Sequence, residues 1–412
     1  CCICKIFHLY IAIVPLLFSL DNPGSTMDSI GAVSAEFSLD VFKELKVHKA
    51  NENIVCSPLT IISALSLVSL GAKENTRAQI EKVFHFDQIS GSGDTTESQC
   101  GTSVSAQTAL RDIFAQITRP SGNYSVDFAS RLYAEESYPI QPEYLQCVKE
   151  LYKGGLEAIN FQADADQARE AINSWVEGQT NGMIRNILHQ GSVDPQTQMV
   201  LVNAISFKGM WQKAFKDEDT QPAAFRISEQ ERKPVQMMYQ VGSFRVAEVA
   251  SEKVRILELQ YASGMLCMLV ILPDDVSGLE QIESSLTLQK LVDWTSSSAM
   301  QERKMKVYLP RMRIQEKYNL TSVLMALGIT DLFSSSANLS GISSAEDLKL
   351  SEAVHEAVIE IDEAGNEVVS SAEAGSEIPS DLDEFRADHP FFFAIKHKPS
   401  DSFLFVGRCV SP

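Results

Sequence analysis

A chain of 412 residues with 44% apolar and 22% charged side chains is long enough to bury a large core, and its composition carries no sign of global disorder. Lys and Arg number 35 against 54 Asp and Glu, and the resulting formal charge of −19 disfavours nucleic acid and anionic membrane surfaces as partners by Coulomb repulsion.

The first stretch, CCICKIFHLYIAIVPLLFSL, holds an apolar run from Ile6 to Leu20 that looks like the hydrophobic region of a signal peptide and is short for a membrane span. No Met precedes it, whereas Met27 opens MDSIGAVSAEFSLDVFKELK, where Ile30, Val33, Phe37, Val41 and Leu45 fall near helical spacing. Residues 1–26 are therefore read as a leader, either translated upstream sequence or a signal-like segment, and 27–412 as one domain. Cys1 and Cys4 form a lone C-x-x-C with no second pair, a weak zinc signal. No metal and no other cofactor is expected. The uncharged segment IVCSPLTIISALSLVSLGA, from Ile54 to Ala72, predicts a buried core helix capped by Ser57 with Pro58 in its first turn, and an internal, uncleaved targeting role is compatible with that state.

Five cysteines lie beyond the leader. Cys100 (ESQCGTS) and Cys147 (YLQCVKE) have polar neighbours and are expected to bridge, whereas Cys56, Cys267 and Cys409 sit in apolar strings and are expected to be buried thiols. In the chain-entropy picture a loop of that size stabilises by about 3 to 4 kcal/mol. Asn123, Asn319 and Asn338 open N-x-Ser/Thr sequons, which agree with a secreted chain and also arise often by chance.

Helices are expected mainly in the first half and strands after about residue 200. DQAREAINSWVEGQTNGMIRNIL reads as a helix that turns at Asn181-Gly182, MVLVNAISFKGMW and GMLCMLVILPDD as strands, the second stopped by Pro273. KMKVYLPRMRIQEKYNLTSVLMALGI begins with strand alternation and becomes a helix capped by Asn319. With no repeat and no dividing linker, the expectation is one mixed α+β domain.

Catalytic signatures are missing from the sequence: no G-x-S-x-G, no phosphate loop, no G-x-G-x-x-G, and the His355-Glu356 start of an H-E-x-x-H runs on into AVIE. His389, before Pro390, reads as a hydrogen-bonded strand residue rather than a base, and no enzymatic activity is expected.

Near the C-terminus HEAVIEIDEAG alternates as a strand does, FRADHPFFFAIKHKPSDSFLFVGRCVSP holds two apolar strands around a polar turn, and between them lies the acidic, small-residue stretch DEAGNEVVSSAEAGSEIPSD, read as an exposed loop. Here the chain resembles the serpin family: FRADHPFFFAI, INSWVEGQTNGMI, LVNAISFKGMWQKAF and LPRMRIQEKYNLTSVLMALGITDLFS match four family landmarks in the right order, over residues 27–412. A second set, ANENI, LYAEE, PEYLQCVKELY, KPVQMMYQ and SSSANLSGISSAE, narrows the resemblance to a storage branch of that family found in egg white.

The resemblance implies a metastable fold of three β-sheets and about nine helices with an exposed reactive-centre loop. In inhibitory members a protease cleaves the loop, the freed part enters the main sheet as a strand, and the attached protease is distorted. Entry requires alternate loop residues to fit a closed interior, because side chains alternate between faces. Where inhibitory hinges read Glu, Glu, Gly, Thr, Glu and then Ala, this chain has Glu363-Ala364-Gly365-Asn366-Glu367-Val368-Val369-Ser370, so Asn366, Val368, Ser370 and Ala372 would turn inward. Burying the Asn366 amide without partners costs roughly 1 to 3 kcal/mol, and Val368 is β-branched where Ala is usual. The same register puts the scissile bond at Pro379-Ser380, a poor bait because Pro fits few protease pockets; a slip of one residue would move it to Ile378 or Ser380. Ser371-Ala372-Glu373 matches the S-x-E pattern of secretory-pathway kinases, with Thr95 standing at the second family site, while Ser34 and Ser344 show the same triplet elsewhere. The expectation is a secreted, monomeric storage glycoprotein that serine proteases meet only as a substrate; the alternative is a serine protease inhibitor.

Overall fold

The computed structural model describes residues 23–86, 100, 104–119, 121–152, 155–365 and 381–412. Those residues form nine α-helices and fourteen strands arranged in two hydrogen-bonded sheets.

Helix α1 (Pro23–His48) buries Ile30, Val33, Phe37, Val41 and Leu45, the residues that the helical spacing picked out. The charge-free segment after it divides: Ile54–Cys56 form strand β1, and the helix proper, α2 (Pro58–Ser69), is buried at every position. Pro58 sits at the first helical position, where its missing N–H has no partner to lose. Ser57 occupies the N-cap, yet its hydroxyl makes no capping bond, a correction to its expected role; its backbone N–H goes elsewhere, as described below. α2 packs against strands of both sheets, which is why no face of it tolerates a charge.

Helices α3 (Glu74–Val83), α4 (Val104–Ile117) and α5 (Pro142–Tyr152) follow. Between the last two lies a twelve-residue strand, β2 (Tyr124–Glu135), and after them β3 (Leu156–Ile159), so strands enter well before residue 200. The sequence of β2, YSVDFASRLYAE, alternates, with Tyr124, Val126, Phe128, Leu132 and Ala134 on one face, although only its last four residues are all buried; an eleven-pair antiparallel ladder joins it to β4 (Met199–Gly209). Helix α6 (Ala165–Gln179) is capped by Asp164, whose carboxylate accepts from Gln167 N, and the chain leaves it through Asn181 and Gly182, both at positive φ.

The five-stranded sheet runs β10-β11-β4-β2-β3, with β10 (Met312–Asn319) antiparallel to β11 (Glu352–Ile361) and β11 parallel to β4. One face packs on the main core that includes α2, and the other packs on a smaller cluster of Phe161, Ile172, Val176, Val202, Val354 and Val358 under α6. The second sheet has nine strands, eight along one path and one beside it, and is carried by the eighteen-residue β6 (Arg232–Val249). Its first half pairs with β5 (Gln221–Arg226) and then with β9 (Gln301–Pro310), which holds β12 (Glu384–Arg386). Its end pairs with β7 (Val254–Gln260), leading through β8 (Leu266–Pro273) and β13 (Phe391–His397) to β14 (Ser402–Cys409) and β1. The expected three sheets are thus two halves joined through one long strand, plus the five-stranded sheet. Helices α7 (Leu279–Ser285) and α8 (Leu288–Trp294) precede β9, and α9 (Leu320–Leu327) follows β10, capped by Asn319.

Cys100 and Cys147 are joined as a disulfide with Cα atoms 5.5 Å apart, and Cys56, Cys267 and Cys409 are buried free thiols. Burial pushes the Cys267 thiol up to about 12, so it is no thiolate at neutral pH. His389 lies in the turn between β12 and β13 rather than in a strand; it is buried, and Nε2 donates to the Pro273 carbonyl at 2.7 Å.

Candidate functional site

Strand β11 ends at Ile361, and the next four residues are held on three sides before the chain enters residues 366–380, which lie outside the described residues. Asn366, Val368, Ser371, Pro379 and Ser380 fall in that segment, and Thr95 lies in another outside the description. Glu363 and Gly365 are described, and they form the centre of the site.

The first side is the turn after β4. Trp211 stacks on Tyr261 at 4.5 Å between centroids and meets Phe215 edge-on, so its indole is fixed and buried. From that position Nε1 donates to the Asp362 carbonyl at 2.8 Å, Trp211 N to the Ala364 carbonyl at 2.9 Å, and Phe215 N to the Glu363 carbonyl at 3.1 Å. Gly365 forms a parallel bridge with Trp211, and a Cβ there would lie 2.5 Å from the Ala214 Cα. Backbone meets backbone at this point, so only glycine fits.

The second side is electrostatic. The Glu363 side chain is 8% exposed and receives Arg311 Nη2 at 2.6 Å, Arg311 Nε at 3.0 Å and the Thr220 hydroxyl at 2.7 Å. Burial alone would raise the Glu363 pKa, but the Arg311 and Thr220 bonds outweigh it and hold the carboxyl below its ordinary value. Arg311 is raised correspondingly, first by its bond to Glu363. On the third side Lys208, in β4, reaches Asp362 at 2.7 Å and Glu360 at 3.3 Å, tying the end of β11 across to its neighbour.

Below the hinge β4 and β11 pair directly over nine residues, from Val200↔Glu352 to Lys208↔Glu360. A segment that folds back after Gly365 and lies between them would run antiparallel to both, and it would have to break that whole ladder first. A buried polar group crosses the seam midway. His355 is fully buried, with Nδ1 2.6 Å from Asn203 Oδ1 and Nε2 accepting from Ser57 N at 3.0 Å, so the proton sits on Nδ1. Burial lowers the His355 pKa to about 3, and the ring stays neutral. Asn203 completes the link: Oδ1 accepts from the Thr60 hydroxyl at 2.8 Å and Nδ2 donates to the Thr60 carbonyl at 3.1 Å. The Ser57 N–H that does not belong to a capping bond therefore anchors α2 to the sheet.

Sequence reasoning reached Glu363 and Gly365 but missed Arg311, Lys208, Trp211 and the His355–Asn203 pair. Arg311 carried one readable signal, a cation directly after Pro310 at the corner between strands β9 and β10. His355 carried none, because a histidine in an apolar strand looks the same whether or not its partners cross a sheet.

The sequons differ in setting. Asn319 is exposed at the start of α9, and its Oδ1 takes the capping bond from Thr321 N at 2.9 Å. Asn338 is half-buried, its Nδ2 donating to Glu74 at 3.2 Å, and Asn123 is half-buried beside β2.

The family model described as Serpin (serine protease inhibitor) matches residues 32–412. Ovalbumin of Gallus gallus is 69% identical over 386 residues, covering 94% of this chain and all of the relative. Among solved structures, uncleaved ovalbumin superposes with a TM-score of 0.87 at 67% identity, over 93% of this chain and all of that one. A loop-inserted form of a cleaved ovalbumin mutant superposes with a TM-score of 0.83 at 64% identity, over the same shares.

Proposed function

The chain belongs to the serpin family, and from that premise we propose that it is a non-inhibitory serpin of the ovalbumin type, a secreted storage glycoprotein of egg white. The observation that carries this reading is the 69% identity to chicken ovalbumin across its entire length. The site adds a physical reason. Insertion needs the β4–β11 ladder to part, and the segment that would enter offers Asn366 and Val368 where a small or hydroxylated side chain suits the interior. The clamp on Glu363 and Gly365 fixes only where the segment starts. A cleaved ovalbumin mutant is known in a loop-inserted form, so a sheet of this architecture has room for the added strand.

Serine proteases would then meet the loop as substrate. Incubating the protein with elastase or subtilisin at near-equimolar ratio should give loop cleavage without a detergent-stable covalent complex, since deacylation outruns insertion. A stable complex on a denaturing gel would replace this reading with the inhibitor one.

Secretion fits the same reading. No described helix is long and apolar enough to cross a membrane. The charge-free α2 is wholly buried, so a targeting signal within Ile54–Ala72 would act on the nascent chain before folding. Of the sequons, Asn319 has the open setting for a glycan, because its cap bond uses Oδ1 and leaves the amide nitrogen to solvent. Peptide mapping of secreted protein should find a glycan there; a bare Asn319 would remove this assignment.

A further inference from the structure

The chain contains three Ser-x-Glu triplets, at Ser34, Ser344 and Ser371. The fold treats the first two in opposite ways. Ser34 lies inside α1, fully buried, its hydroxyl bonded to the Gly31 carbonyl at 3.1 Å. Ser344 lies outside every helix and strand, and Ser344, Glu346 and Asp347 are all exposed. Among the described residues none takes a hydrogen bond with its hydroxyl.

The turn that carries Ser344 is fixed at both ends. Before it, Ile342 is fully buried and its carbonyl accepts from Gln141 N at 2.8 Å. Ser343 bridges Ile140, and its buried hydroxyl accepts from Ala345 N at 3.2 Å. After it, Leu348 is 2% exposed. Anchored on either side, residues 344–347 stand clear of the core, with the serine hydroxyl and the acid two positions on both reachable by a second protein.

We propose that Ser344 is a phosphoacceptor for a kinase that reads an acidic residue two positions after the serine. In the step, Ser344 Oγ bonds to the γ-phosphorus of ATP as the bond to the bridging β-γ oxygen breaks; ADP leaves, and the hydroxyl proton passes to the base of the kinase. The product adds a charge of about −1.5 to −2 at neutral pH, beside Glu346 and Asp347 in open solvent where screening is strong, so the fold accommodates it. Ser34 offers the same triplet but no access, because its helix would have to unravel.

The folded Ser371→Ala protein, incubated with MgATP and a Ser-x-Glu-directed kinase and then mapped by phosphopeptide sequencing, tests the site without interference from the loop. Phosphate is expected on Ser344, lost when Glu346→Gln is added, and on Ser34 only after heat unfolding. If Ser344 stays bare in the folded chain but is modified in the unfolded one, the turn withholds it; if it stays bare in both, the triplet is not read. Either result overturns the proposal.

Discussion

Removing the charge of Glu363 would leave Arg311 without its buried partner, and this is where the electrostatics of the hinge are open to direct test. Glu363→Gln keeps the size of the side chain but exchanges charge-assisted bonds for neutral ones, so a loss of about 1 to 3 kcal/mol is expected at pH 7, read from the denaturant midpoint. The pH dependence has a definite sign. The folded pKa lies below the ordinary value of 4.5, so the stabilisation is fully present above the unfolded pKa and is lost as pH falls through the folded one. The gap between wild type and Glu363→Gln should therefore begin to narrow below about pH 4, the ordinary range of a Glu carboxyl, and go on narrowing as the pH falls further; a gap that did not narrow at all on acidification would mean that the pair is held by packing and not by charge. At this scale the sequence was informative where geometry is local. Gly365 and Glu363 could be placed by resemblance, whereas Arg311 and Thr220 come from distant positions that only the folded chain brings to Glu363.

Between elements, the β4–β11 seam decides what the loop can do. Its nine parallel pairs, the His355–Asn203 bond and the Lys208 bridges all have to yield before a strand enters. The sequence of the segment that would enter then sets whether the opened sheet gains enough in return. Replacing Asn366 by Thr and both Val368 and Val369 by Ala removes an amide and two branched side chains that resist entry into a closed sheet, and should let the cleaved variant melt above its intact form. No difference between the cleaved and intact variant would place the obstacle in the seam itself rather than in the hinge sequence. Element by element, strongly periodic or uniformly apolar segments declared themselves: α1, α6, β4 and β8 lie where the spacing puts them. β2 was not expected, although Tyr124, Val126, Phe128 and Leu132 alternate with Ser125, Asp127 and Arg131; it lies in the half of the chain expected to be mainly helical, and its pairing with β4 is encoded by no local pattern. The split of Ile54–Ala72 into β1 and α2 was likewise hidden, since both pieces are wholly buried and burial erases periodicity.

For the whole molecule the account is that of a serpin whose sheet stays closed. The fold was legible through the family resemblance, carried by four landmarks in the right order, rather than through composition or periodicity. The long strand β6, which merges two expected sheets into one hydrogen-bonded path, was not, because continuity of a sheet is a property of pairing and not of composition. Storage asks for no chemistry, so it is the absence of a working trap that must be tested. Differential scanning calorimetry of the unmodified protein before and after complete loop cleavage does this most directly, because a strand added between β4 and β11 would stabilise the entire core. With the sheet closed, the cleaved and intact proteins should melt at nearly the same temperature. A large upward shift on cleavage would contradict this, since the sheet would then have opened and taken the loop in.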